Sequence, residues 1–249
     1  MAILLTNDDG YFAKGIQELN QTLMSFSKVK VIAPKANCSG LSASITLRKD
    51  IHVEKITHSN FIVNGTPADC SYLGLTSLFA GEISQVVSGI NLGANLGNDV
   101  LYSGTVGAAL AGRGLEFPPV AISVAAYEPK ELSFIAKLSS NLVQRIRSLE
   151  IDPNLLININ FPDITENQYK GTKITVLNKL RPTSFPDVVD PSIDNPIFQI
   201  GPSSISSDAS DDSDHKAISE GFVSVSLLDY SFTTSLNLFA LDLEKELNA

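Results

Sequence analysis

AILLTNDDGYFAKGIQELNQTLMSFSKVKVIAP, residues 2–34, decides the fold of this chain. AILLT (2–6) and KVKVIAP (28–34) read as buried strands, and between them Ile16, Leu19, Leu23 and Phe26 recur at helical spacing. Strand, helix and strand in that order make a βαβ start, which implies a parallel pair joined by a right-handed crossover. Inside it, TNDDG (6–10) runs the first strand straight into two adjacent carboxylates and a glycine. Like charges at the mouth of a core strand repel unless something positive lies between them. A metal ion is the natural candidate.

The same alternation continues outward. TPADCSYLGLTSLF (66–79) predicts a helix with Thr66 as N-cap and Pro67 at its first position, followed by a strand at SQVVSG (84–89). A glycine-rich loop, a small-residue helix from about Gly104, a strand at VAISVA (120–125), a helix over about 130–148 and a strand at LLININF (155–161) follow. IHVEKI (51–56) and FIVNG (61–65) read as a hairpin. The expected fold class is α/β: a Rossmann-like, mainly parallel sheet with helices on both faces, plus a β-rich C-terminal extension. Residues 1–162 form the predicted core carrying the site. Over residues 163–249 the character changes. KITVLNK, PIFQIG and GFVSVSLLD are strand-like pieces without intervening helices, joined by the proline-rich RPTSFPDVVDPSIDNP and by SSISSDASDDSD, with a closing helix at about 235–247. Hairpins of this kind pair between subunits, so oligomerisation is expected.

Composition excludes several classes. With 249 residues, 43% hydrophobic, 18% charged, no Trp and no apolar run near the ~20 residues a bilayer requires, the chain reads as globular, not membrane-embedded. A net charge of −9 speaks against a nucleic-acid duplex, whose phosphates need a basic stripe. MAILL lacks the features of a secretory signal, so residue 1 is expected to begin the mature fold. Cys38 and Cys70 lack CxxC spacing and read as two ordinary thiols in a reducing, cytoplasmic setting.

The residues with chemical promise lie beyond the carboxyl ends of the strands, where open α/β sheets bind ligands. Asp8 and Asp9 follow the first strand; the plainer alternative is that one of them turns the chain or caps the helix near residue 14. Ser39 and Gly40 follow the second strand and, taken alone, read as a turn. The strongest signal is SGINLGANLGNDVLYSGTVGAALAGRG, in which Gly89–Ser103 show no obvious secondary structure. Its amides Asn91 and Asn95 offer neutral oxygens suited to a hard cation such as Mg or Mn. The segment then starts a helix through Ser103, Gly104 and Thr105, whose N–H groups and hydroxyls suit an anion such as phosphate. Asp99 either supports the loop or adds a carboxylate, and the sequence leaves both open. There is no Walker loop or GxGxxG; His52, His58 and His215 are isolated, which argues against a zinc site or a Ser-His-Asp triad. SDASDDSD (207–214) lacks the glycine and glutamate of a calcium loop and reads as a solvated, mobile segment.

ILLTNDDG, APKANCSGLSASITL, NGTPADC and above all VSGINLGANLGNDVLYSGTVGAA closely resemble the SurE family, the stationary-phase survival 5′/3′-nucleotidases. These motifs cover about the first 125 residues densely, and NINFP and GFVSVSLL extend the match thinly. The resemblance implies a metal-dependent phosphomonoesterase that hydrolyses nucleoside 5′-monophosphates, with 3′-monophosphates as further candidates. It implies one divalent ion, Mg or Mn, per subunit, and a homodimer or homotetramer built through an exchanged C-terminal extension. By motif position Asp8, Asp9, Ser39 and Asn91 are the implied metal ligands, with Asp8 and Asp9 catalytic. Asn95, Ser103, Gly104 and Thr105 match the phosphate-contacting positions. The chain departs from the family pattern at DPSIDNP (190–196) and SSDASDDSD (206–214), where Asp214 matches a family aspartate. A phosphatase using an aspartyl-phosphate usually spaces its aspartates two apart, unlike Asp8–Asp9. A non-catalytic metal-dependent nucleotide-binding regulator would use the same loop only to sense a ligand.

Overall fold

Alternate side chains of the first strand, β1 (Ala2–Thr6), enter two different apolar clusters, and this divides the molecule into layers. Ile3 and Leu5 pack with Ile16, Leu19 and Leu23 of α1 (Lys14–Leu23), whereas Ala2 and Leu4 pack on the other face. A strand covered on both sides in this way reads as a continuous apolar run, as AILLT does. The architecture is described from a computed structural model, which covers residues 1–179, 186–190, 192, 195–201 and 210–230.

After α1 come β2 (Val29–Pro34), β3 (Val53–Lys55) and β4 (Asn60–Val63), then α2 (Pro67–Leu73). Thr66 caps α2, as the sequence signal predicts, and forms a full capping box with Asp69. β5 (Ile83–Leu92), α3 (Gly104–Leu110), β6 (Val120–Val124), α4 (Leu132–Ile146) and β7 (Leu156–Phe161) complete the alternation. The chain ends its described part with β8 (Thr172–Thr175), β9 (Asp187–Asp190), β10 (Ile197–Gln199), α5 (Asp214–Ser219) and β11 (Val223–Leu228). Nine strands form one sheet in the order β3-β4-β2-β1-β5-β6-β7-β11-β8. From β4 to β7 every neighbouring pair is parallel; β3 lies antiparallel to β4, and β11 antiparallel to β7. Helices α1 and α4 cover one face, and α2 and α3 the other. The α/β class, the mainly parallel sheet and the 51–65 hairpin are therefore as expected. Among the described residues no helix is long and apolar enough to cross a membrane.

Three expectations need correction. The strand predicted to stop at Gly89 continues to Leu92, because Ile90 is wholly buried and Asn91 and Leu92 resume pairing with Ser123 and Val124 after an irregularity. The loop therefore starts at Gly93, and a 3-10 turn occupies Gly97–Leu101. The C-terminal strands are not free of intervening helices: α5 forms before β11 with Ser213 as its N-cap, the Ser213 hydroxyl accepting from the Lys216 N–H. Ser213 and Asp214 are buried, so this end of the acidic run is not a solvated segment. β8 and β11 extend the main sheet, while β9 and β10 pair separately as a small hairpin, β9 arising within the proline-rich stretch. The predicted helix at 235–247 lies outside the described residues.

Candidate active site

The carboxyl end of β1 turns sharply, and the turn is closed by its own asparagine. Asn7 Nδ2 donates to the Gly10 carbonyl at 2.9 Å, and Gly10 N–H donates back to Asn7 Oδ1 at 3.2 Å. Between these points sit Asp8 and Asp9. Asp8 is 3% exposed, and its carboxylate receives the Thr105 N–H at 3.1 Å and the Thr105 hydroxyl. It presses against the start of α3: a Cβ at Gly104 would stand 2.9 Å from Asp8 Oδ2, so only glycine admits this approach. Burial pushes the Asp8 carboxyl up to about 6, with the Thr105 hydroxyl opposing and the neighbouring Asp9 charge adding to the rise.

Asp9 links two other segments. Its Oδ2 accepts from the Leu92 N–H at 3.2 Å and its Oδ1 from Asn37 Nδ2 at 3.3 Å. Burial raises its carboxyl too, against the Leu92 hydrogen bond. Asn37 in turn holds Ser39, whose N–H and hydroxyl donate to Asn37 Oδ1 at 2.9 and 2.7 Å. Asn91, next to Leu92, spends its amide nitrogen on the Gly93 carbonyl at 2.7 Å, which turns its Oδ1 the other way. Asp8, Asp9, the Asn37–Ser39 turn and the Asn91–Leu92 strand end are thus tied together by direct hydrogen bonds or adjacency in the chain.

The other predicted residues are placed differently from one another. Ser103 caps α3, accepting from Val106 N–H at 3.1 Å and keeping a hydroxyl hydrogen to donate. Both donors of Thr105 go to Asp8. Asn95 is buried, and its Nδ2 donates to Ser123 Oγ at 2.7 Å. Two residues escaped the sequence analysis. Asn37 gives no signal beyond a polar side chain in a turn. Asn160, which grips the backbone of Asn95, does leave one: amides at 158 and 160 repeat with period two inside a strand that is buried throughout.

Among the described residues neither Asp8 nor Asp9 forms an ion pair with Lys, Arg or His. Nor do those residues hold any cluster of three His, Cys, Asp or Glu side chains, so a cation here would need neutral oxygens to complete its shell. Ser39 Oγ and Asn91 Oδ1 are of that kind, and two carboxylates with hydroxyl and amide oxygens make a hard donor set that suits Mg or Mn.

These features define an α/β protein with an acid pair at the carboxyl edge of its parallel sheet, flanked by a capped helix start. The family described as "Survival protein SurE" matches residues 3–183. The chain is 38% identical to "5'-nucleotidase SurE" of Mannheimia succiniciproducens over 97% of each chain, and 38% identical to the protein of that name in Haemophilus influenzae over 99% of each. The crystal structure of the SurE protein from Aquifex aeolicus superposes with a TM-score of 0.84, at 34% identity and with full coverage of both chains. The chain belongs to the SurE family.

Proposed function

We propose that this chain is a metal-dependent phosphomonoesterase that hydrolyses nucleoside 5′-monophosphates, and 3′-monophosphates as further substrates, to nucleoside and phosphate. The relatives named 5'-nucleotidase support the reaction class. The observation that carries the metal dependence is the pair Asp8–Asp9, buried or half-buried at the end of β1 with no cationic side chain against it among the described residues. Asp8, Asp9, Ser39 and Asn91 are the proposed holders of one divalent ion, Mg or Mn, per subunit. When bound, such an ion supplies Lewis-acid polarisation of the phosphate and neutralises its charge.

The protein's own groups divide the remaining work. Asp8, fixed by both Thr105 donors, orients the attacking water and takes its proton. The water oxygen bonds to phosphorus as the ester P–O bond breaks, the leaving oxygen takes up a proton from solvent so that the nucleoside departs as the alcohol, and Asp8 returns its proton to solvent. Ser103, Gly104 and Asn95 form the proposed phosphate side, with Thr105 acting through Asp8. Residues 1–162 are the proposed catalytic core. Val188, Val189, Ile197 and Phe198, exposed on the β9–β10 hairpin, support assembly through the 163–249 part into a homodimer or homotetramer. The cytoplasm is the proposed location.

Turnover tests this directly. Purified protein incubated with AMP, GMP or p-nitrophenyl phosphate should release phosphate with Mn or Mg and lose that activity with chelator. Tight nucleotide binding without phosphate release would instead make the chain a sensor.

A further inference from the structure

β7 is buried along its whole length, and its alternate residues serve two purposes. Ile157, Ile159 and Phe161 join the apolar core on one face, while Asn158 and Asn160 bring two fully buried amides to the other. Burying an amide is costly when any of its groups is left unpaired, and Asn158 Oδ1 has no hydrogen-bond partner among the described residues. Aliphatic side chains would fill this face more favourably. The donors of both amides converge on one backbone residue. Asn158 Nδ2 and Asn160 Nδ2 donate to the Asn95 carbonyl at 2.9 and 3.0 Å, and Asn160 Oδ1 accepts the Asn95 N–H at 2.8 Å.

A second clamp lies two residues further on. Gly97 N–H donates to Asp214 Oδ2 at 2.6 Å, while Asp214 Oδ1 accepts from Asn178 N–H at 2.9 Å. Gly97 has φ +52°, and a Cβ there would lie 2.9 Å from the Asn178 carbonyl oxygen, so the backbone closes on this point with no room for a side chain. The segment between Asn91 and Ser103 is thereby held at two backbone positions by residues of β7 and α5. The acid pair is held by other means: the Asn7–Gly10 closure, Thr105, Leu92 and Asn37.

We propose that Asn160 and Asp214 are positioning residues that set the register of the 93–103 segment, and with it the phosphate side of the site, while the carboxylates of the cation side are held by separate contacts: the β1 turn, Asn37, Leu92 and Thr105. This rests on the phosphomonoesterase function proposed above. It also makes the phosphate side depend on the C-terminal part of the chain, through Asp214 on α5.

Asn160→Ala and Asp214→Asn test it with three readouts: kcat and KM for AMP, inhibition by orthophosphate, and Mn affinity of the substrate-free protein by electron paramagnetic resonance. Misplacing a reacting group by about 1 Å costs on the order of 10²-fold, so kcat should fall about 10- to 100-fold. Orthophosphate inhibition should weaken by about fivefold or more, with Mn affinity held within about twofold. A fall in melting temperature with kcat and orthophosphate affinity unchanged would overturn the proposal, leaving only a structural role. Parallel loss of Mn and orthophosphate affinity would overturn it too. If Asn160→Ala does not fold, Asp214→Asn and Asn158→Leu carry the same comparison. Should the native protein release no phosphate from nucleotides, the phosphomonoesterase function itself fails, and orthophosphate binding to the native and variant proteins still decides the positioning role.

Discussion

Asp8 and Asp69 are both buried aspartates served by threonines, at 3% and 1% exposure, yet their charges are treated in opposite ways. Asp69 accepts the Thr46 N–H at 2.9 Å, the Thr46 hydroxyl at 2.6 Å and the Thr66 N–H at 2.9 Å. Burial pushes its carboxyl up, but these bonds outweigh it and leave the group below the ordinary carboxylate range. Asp8 receives the two Thr105 donors and its own backbone N–H, but it is deeply buried and has Asp9 beside it, so burial prevails and the group sits at about 6. Low surface exposure therefore does not by itself mark a functional acid. The balance of depth against donors does: Asp69 lies shallower in the fold with its hydrogen bonds supplied from within, and Asp8, deeper, is left needing an outside positive charge.

The sharpest way to break this contrast is to neutralise each acid in turn. Asp8→Asn should reduce phosphate release from AMP in Mn on the order of 10³-fold, while the melting temperature in chelator holds or rises. Asp69→Asn should do the reverse. It leaves donors facing an amide and detaches Thr46 from the start of α2, at about 2–3 kcal/mol, lowering the melting temperature by about 4–10 °C with kcat within about twofold. Equal losses of activity from both substitutions would erase the distinction.

Much of this contrast was legible before the structure. Ala2–Thr6, Val29–Pro34 and the helix between them announce themselves because each buries an uninterrupted or 3.6-periodic apolar set. Thr66 and Pro67 together spell a helix start, and the structure adds Asp69 to complete a capping box. The placing of Asp8 and Asp9 at a strand's carboxyl end follows from the βαβ order alone. What stayed hidden depends on tertiary contact. β5 outruns its apolar signal because SGINLG alternates glycine and amide where pairing with β6 resumes. Thr105 reads as an anion donor until the fold brings Asp8 within reach across 97 positions of chain. Asp214 looks like one more acid in a polar run, and the fold gives it distant partners in the Gly97 and Asn178 N–H groups.

A pH titration of stability sharpens the same contrast with a smaller effect. Asp8 has its folded value raised above the ~3.9 of an unfolded chain, so its favourable contribution is fully present below about pH 4 and is lost as pH rises through about 6. In chelator the native protein should lose about 1–2 kcal/mol over that window relative to Asp8→Asn, measured by urea unfolding. Asp69, with its value depressed, contributes above the unfolded value and loses its contribution as pH falls through its own folded value. Its signature therefore lies on the acid side, and Asp69→Asn should flatten only that limb. A single stability slope shared by both variants would mean that the two acids are not held differently.

The smallest effect concerns Asn37, which bonds Asp9 at 3.3 Å and Ser39 at 2.7 and 2.9 Å from an exposed turn. Partners that orient metal ligands from buried positions are worth about 10- to 100-fold in metal affinity, but water competes for a side chain as open as this one. Asn37→Ala should weaken Mn binding about three- to fivefold, read by calorimetry on the substrate-free protein, and leave the melting temperature in chelator unchanged. That pairing of results would show that the protein completes Asp69 for stability and arranges Asp9 and Ser39 for an ion. If Mn affinity does not move, Ser39 takes no guidance from Asn37, and the acid pair must find its remaining oxygens elsewhere along the rim.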